Sequence, residues 1–187
     1  MNLVRTLMTG KDVERALHRI TDAILECNRR NTARLALIGI HTGGVFLAQR
    51  IRRRILELTG QEVPLGVLDI NLYRDDWTRR NQYPVVRKTE LTFSVDGRGI
   101  VLIDDVLYTG RTVRAAMDAL MDFGRPDRIE LAVLVDRGLR ELPIMATYRG
   151  ESVLTTSQEQ VYVDLEEHSG RDEVRIEAPQ ESGQAAE

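Results

Sequence analysis

The chain holds a single cysteine in 187 residues. Cys27 has no partner, which excludes a disulfide framework and points to a reducing compartment. No apolar run approaches the length that spans a bilayer and no segment has the make-up of a signal peptide, so a cytoplasmic protein with no membrane partner is expected. The two common nucleotide fingerprints are also missing. No Gly-Lys-Ser/Thr follows a glycine-rich loop, and Gly43 and Gly44 are adjacent rather than spaced as G-x-G-x-x-G, which argues against a P-loop nucleoside triphosphatase. Lysine is nearly absent: of 26 basic residues only Lys11 and Lys88 carry an ammonium, and the rest are guanidinium forks, a form suited to phosphate. A genome-wide composition bias would produce the same count. The net charge of -3 argues against a nucleic-acid partner unless basic side chains gather on one face.

What is present is ordinary in bulk and unusual in one stretch. Hydrophobic residues at 42% and charged residues at 29% fit a globular chain long enough to bury one sizeable core without metals or disulfides. The unusual stretch is Val101–Val113. A short apolar run ends in Asp104 and Asp105, turns through Val106, Leu107, Tyr108, Thr109 and Gly110, and takes up a helical pattern from Arg111 and Thr112. Ionised carboxylates only accept hydrogen bonds, so an adjacent pair suits two neighbouring hydroxyls or a hydrated cation. The turn from Leu107 to Thr112 exposes backbone N–H groups at a helix start, where unpaired amides and the macrodipole attract an anion. An aspartate here could equally be a helix N-cap, and Thr-Gly an ordinary turn. Capping needs one acceptor, however, and here there are two followed by an anion-ready loop. The combination fits a sugar phosphate, with carboxylates on ribose hydroxyls and amides on the phosphate.

The rest of the chain alternates strand and helix signals. Val13, Ala16, Leu17, Ile20, Ile24 and Cys27 form one apolar stripe over residues 12–30, which makes Cys27 a core thiol, with Arg15, His18, Arg19 and Asp22 off the stripe. A buried strand over Arg34–Ile40 leads through His41-Thr42-Gly43-Gly44 into a second helix, Val63–Tyr73 reads as another strand, and Ile129–Val135 as a further one ending in Asp136-Arg137-Gly138. Alternation of this kind implies an α/β fold with a mostly parallel sheet and helices on both faces, whose loops open along the carboxyl edge. Residues 144–165 read as short strands of a small hood, 74–88 as a charged, turn-rich segment, and 177–187 as a polar tail after a single domain over 1–176.

The run Asp104-Asp105-Val106-Leu107-Tyr108-Thr109-Gly110-Arg111-Thr112 resembles the signature of type I phosphoribosyltransferases, and in this form the PyrR family. Leu68–Asp76, Gly124-Arg125-Pro126, Ala132–Gly138 and Arg140-Glu141-Leu142-Pro143 are similar to it too, so the resemblance spans most of residues 12–165. It implies the type I phosphoribosyltransferase fold, with a twisted sheet and β hood. The implied activity is uracil phosphoribosyltransferase, converting uracil and 5-phosphoribosyl-1-pyrophosphate (PRPP) to UMP and pyrophosphate. The implied regulatory role is UMP/UTP-sensing control of pyrimidine operons through leader mRNA. By the same resemblance Asp104 and Asp105 are catalytic, and PRPP is held by Thr42, Gly43, Gly44 and the loop Asp104–Thr112. Arg137 and Val161 face uracil, residues 74–88 form a lid, and Mg²⁺ arrives with PRPP and water near the two aspartates. A homodimer or higher homo-oligomer is expected.

The family commonly carries Thr-Arg-Gly where this chain has Thr42-Gly43-Gly44, so the fixed charge near pyrophosphate falls to Arg74 and Arg87. It usually has Arg-Gly-His where this chain has Arg137-Gly138-Leu139. Arg15 and Arg19 remain as candidate RNA contacts, while Asp22, Cys27, Gly43 and Leu139 depart from the basic or RNA-contacting side chains the family places there. Two alternatives stay open: an RNA-binding attenuation regulator with little catalytic role, and a phosphoribosyltransferase for another base such as a purine.

Overall fold

The computed structural model describes residues 3–29, 31–70 and 89–179. Five strands, β2 (Leu35–Ile40), β3 (Leu65–Leu68), β4 (Gly99–Leu107), β5 (Arg128–Asp136) and β6 (Tyr148–Ser152), form an all-parallel sheet in the order β3-β2-β4-β5-β6. Helices α1 (Gly10–Cys27) and α2 (Gly43–Thr59) cover one face and α3 (Arg111–Met121) the other. Strand β2 is buried along its whole length, and its side chains divide by alternation. Leu35 and Leu37 pack with Ile20, Ile24, Ile51 and Ile55, while Ala36, Ile38 and Ile40 pack with Val113, Ala116 and Leu120.

The helices end where local chemistry stops them. The Asp12 carboxylate receives the Thr9 hydroxyl (2.5 Å) and Thr9 N–H (2.9 Å) at the start of α1, bonds that lower its pKa to about 2. Helix α2 closes on Gly60, which takes a left-handed φ of 68° and donates its N–H to Leu56 O at 2.8 Å.

Several expectations need correction. Cys27 is exposed rather than a core thiol. The stripe passes from Ile24 to Asn28, four residues on, and buried Asn28 fills the place expected for the thiol. Strand β3 is shorter than Val63–Tyr73. Pro64 gives its carbonyl to Leu37 N (2.9 Å), and beyond Leu68 the Asp69 N–H turns to the Thr89 hydroxyl (3.1 Å); residues 71–73 lie outside those described.

The hood also differs. Of residues 144–165 only β7 (Gln160–Asp164) belongs to it, because β6 extends the main sheet beside β5. Its other strands are β1 (Leu3–Thr9) and β8 (Glu173–Ala178), paired antiparallel in the order β1-β8-β7. The ordered chain therefore continues through residues 177 and 178, which were expected in the tail. The alternation of buried Val174 and Ile176 in β8 is visible in sequence, whereas β1 buries only Met8 and carries no such pattern. Among the described residues no helix is long and apolar enough to cross a membrane.

Arg50 of α2 fastens the hood to the sheet domain. Its guanidinium donates to both oxygens of Asp172 (2.6 and 2.8 Å) and both of Glu167 (2.9 and 2.7 Å), across the short helix α4 (Glu166–Ser169). These bonds raise the Arg50 pKa and hold both carboxyls below their ordinary values of 3.8 and 4.5. A depressed carboxyl binds fewer protons when folded than when unfolded, so its stabilisation is present above the ordinary value and is lost as the pH falls below it. Arg50→Ala leaves two partly buried carboxylates unpaired and should cost about 2 kcal/mol at neutral pH. Chemical denaturation between pH 7 and pH 3 checks this: the wild type should lose stability more steeply than the variant on acidification.

Candidate active site

Because β2, β4 and β5 run parallel, the loops after them emerge along one edge of the sheet. The loop after β2 is pressed onto the end of β4. A Cβ on Gly44 would overlap the carbonyl oxygen of Ile103, and one on Gly43 would overlap the carboxylate of Asp105. Gly39 is equally confined, since a Cβ there would sit 2.6 Å from Val45 Cα. Three glycines thus let the amino terminus of α2 lie directly against the two aspartates, with Thr42 at its N-cap. The His41–Thr42 peptide bond is cis.

Asp104 is buried and its Oδ1 accepts the Asp105 N–H (3.0 Å), while Asp105 Oδ1 accepts the Val106 N–H (2.8 Å). Burial pushes the Asp105 carboxyl above the usual range. The hydrogen bonds from Val106 N–H and the Asp104 carboxyl, and the charge of His168, act in the opposite direction. His168 belongs to α4 and stacks on Phe46 of α2, ring centroids 5.8 Å apart, so the hood reaches the site at this corner.

The loop from Leu107 to Gly110 turns into α3 through Gly110, whose φ of 92° favours glycine. Arg114 N–H closes the first helical turn on Gly110 O (2.9 Å). The Thr109 hydroxyl lies 3.4 Å from Arg111 N, and Arg111 Nε donates to Glu141 Oε2 at 2.6 Å. Thr109 O receives Glu141 N–H and Leu142 N–H at 3.0 and 3.1 Å, so the loop after β5 supports this one along its length.

Arg137 is only 6% exposed. Its Nε donates to the Thr155 hydroxyl (3.0 Å), its Nη2 to Glu159 O (2.7 Å) and Thr156 O (3.2 Å), and its guanidinium stacks 3.9 Å from the centre of the Tyr108 ring. Most of its donors therefore organise the approach to β7. Val161 of β7 is half-buried and packs on the same core as Val106. Arg74 and Arg87 lie outside the described residues. Of the candidate RNA contacts, Arg15 pairs with Asp12, and Arg19 Nη2 donates to Gly150 O at 2.6 Å.

Two contributors escaped the sequence reading. His168 sits in a polar stretch with no motif, and Arg140 was visible only as part of a matching segment. Asp136 and Arg140 have i,i+4 spacing, which signals a pair on a helix. Here the pair forms because Gly138 and Leu139 both adopt positive φ, 72° and 54°, and fold the loop back on itself.

Comparison with known proteins places this arrangement. A sequence model of the phosphoribosyl transferase domain matches residues 11–165. Bifunctional protein PyrR of Thermus aquaticus is 55% identical over 176 residues, 94% of this chain and 97% of that protein. The chain belongs to the PyrR family of phosphoribosyltransferases. PyrR of Deinococcus radiodurans is 49% identical over 94% of this chain and 96% of its own length. Among solved structures, hypoxanthine phosphoribosyltransferases of Staphylococcus aureus and Trypanosoma cruzi each superpose with a TM-score of 0.68, at 18% and 17% identity. They cover 96% and 94% of this chain, and 94% and 97% of their own, and share with it the type I phosphoribosyltransferase fold.

In this chain the Asp105 carboxylate lies where a Cβ on residue 43 would sit, so a side chain there requires that carboxylate to move. Gly44→Ala would drive a methyl into backbone rather than into a movable side chain. A loss of about 1–3 kcal/mol is expected in denaturant unfolding. Asp105→Asn should have the opposite sign. A carboxyl whose folded pKa is raised costs stability as the pH rises through that value, so the amide should raise Tm near neutral pH and give little gain in acid. Thermal unfolding at two pH values checks it.

Proposed function

We propose that this PyrR protein transfers the 5-phosphoribosyl group of PRPP to N1 of uracil, releasing UMP and pyrophosphate, and senses UMP or UTP in the same site. The observation that carries the reading is the meeting of two interacting carboxyls, an anion-ready loop at the start of α3 and the glycine-confined start of α2 at one sheet edge. Those parts match a ligand with ribose hydroxyls, a 5′-phosphate and a pyrophosphate.

The proposed reaction gives each part a role. The amides from Tyr108 to Arg111, with the hydroxyls of Thr109 and Thr112, hold the 5′-phosphate. Thr42, Gly43 and Gly44 meet the pyrophosphate. Asp104 and Asp105 hold the ribose hydroxyls and stabilise positive charge that develops on the sugar as the bond to pyrophosphate breaks. Uracil is recognised by the backbone around Arg137 and by Val161, with Arg137 fixing the wall rather than supplying most of its own donors to the base.

Among the described residues no three His, Cys, Asp or Glu side chains converge to hold a metal ion. A carboxylate pair fits a hydrated Mg²⁺, which Asp104 and Asp105 would hold. When bound, the ion supplies neutralisation of the leaving pyrophosphate.

Family membership also supports a role in regulating pyrimidine operons, through leader RNA. The pairing of Arg15 with Asp12 and of Arg19 with Gly150 means that RNA would have to compete with these contacts. A salt-titrated gel shift with the leader hairpin of its own operon tests that part. Binding equal to that of an unrelated hairpin would end it. The hypoxanthine phosphoribosyltransferase likeness, below 20% identity, concerns fold and does not favour a purine.

Turnover with PRPP, Mg²⁺ and each nucleobase in turn tests the catalytic part. Uracil should give UMP, and Asp104→Asn combined with Asp105→Asn should lower kcat/KM by about 100-fold or more. A purine accepted in place of uracil, or full activity in the double variant, would overturn the assignment.

A further inference from the structure

Arg140 lies between the phosphate loop and the base loop and belongs to neither set of ligand contacts. Its side chain is 21% exposed and every nitrogen of its guanidinium meets an acceptor. Nη1 donates to Tyr108 O and Gly138 O, both at 2.9 Å, with Leu107 O at 3.4 Å; Nη2 donates to Asp136 Oδ1 at 2.5 Å, and Nε to Ile144 O at 3.0 Å. Asp136 Oδ1 also takes the Gly138 N–H at 3.1 Å, closing the left-handed turn.

The consequence lies in the peptide planes. A trans peptide points its C=O and N–H in opposite directions. The Arg137 N–H draws the Leu107 carbonyl toward the base loop (3.1 Å), Arg140 draws that of Tyr108, and the N–H groups of Glu141 and Leu142 draw that of Thr109 the same way. Three successive carbonyls face the base loop, so the N–H groups of Tyr108, Thr109 and Gly110 all face away from it. Successive amides aligned in this manner form an anion-binding concavity. A lysine could not replace the fork, since one ammonium has three donors from a single point and cannot span acceptors on Tyr108, Gly138, Ile144 and Asp136.

We infer that Arg140 is a positioning residue that shapes the phosphate cradle of the β4–α3 loop and ties that shape to the base loop, without touching the sugar phosphate itself. The inference rests on the proposed assignment of this loop to the 5′-phosphate. Donor affinity should therefore depend on a guanidinium about which the donor makes no contact.

Arg140→Ala and Arg140→Lys test it by two routes. In steady-state turnover with uracil, both variants should raise KM for PRPP by about 10- to 100-fold, with a smaller change in kcat. Millimolar guanidinium ion should restore Arg140→Ala in part and leave Arg140→Lys unchanged. In calorimetry, ribose 5-phosphate should bind the wild type and bind both variants more weakly by a similar factor, a measurement independent of the base. If Arg140→Ala fails to fold, the Arg140→Lys comparison stands by itself. Unchanged KM and unchanged ribose 5-phosphate affinity in a folded variant overturn the inference, as does a fall confined to kcat. A wild type that binds ribose 5-phosphate but converts no uracil overturns the proposed reaction instead, and leaves the calorimetric comparison to decide the role of Arg140.

Discussion

The contact between the start of α2 and the end of β4 is the constraint on which the site depends. Gly44 lies on the Ile103 carbonyl with no room for a side chain, and Gly43 lies against the Asp105 carboxylate. That approach puts the positive end of a helix beside two carboxyls, where backbone amides can meet an anion without a cationic side chain at position 43. It also packs protein around the carboxyls, and the resulting desolvation displaces Asp105 upward despite its hydrogen bonds. Pre-organisation and burial are thus two effects of the same close packing.

Arginine supplies most of the fastening around this constraint. Arg50 joins α2 to the hood through Glu167 and Asp172, Arg137 joins Tyr108 to the segment before β7, and Arg140 joins the loops after β4 and β5. Each uses several donors of one planar fork on acceptors from different segments, a geometry that an ammonium group cannot supply. The scarcity of lysine in the composition acquires a structural meaning here. These three guanidinium groups act first on the protein's own carbonyls and carboxylates.

The hood is assembled from distant pieces of chain. Strand β1 pairs with β8, and β8 with β7, so residues near positions 3 and 178 lie side by side. Through α4, the same assembly brings His168 onto Phe46, three residues after the Gly43 that rests on Asp105. Val106 of β4 and Val161 of β7 pack on a shared core, which joins the end of β4 to the hood.

Local pattern determined a good part of this in advance. The apolar runs of β2, β4 and β5, the stripes of α1 to α3, and the strand-to-helix turns at residues 41–44 and 104–112 are all encoded within a dozen residues, because hydrophobic period and turn chemistry are short-range properties. The adjacent aspartates and the Thr-Gly turn were legible for the same reason. Three decisions belonged to the tertiary structure alone. Asn28 rather than Cys27 entered the core, since its side-chain amide finds partners on Arg128 and Glu130 of β5. Strand β6 joined the main sheet beside β5, and β1 joined β8 in the hood across more than 160 residues of chain, since a strand's pairing partner is not written in its own local pattern. Arg137 and Arg140 became struts, since their acceptors come from loops that meet only when the parallel sheet brings its carboxyl ends together.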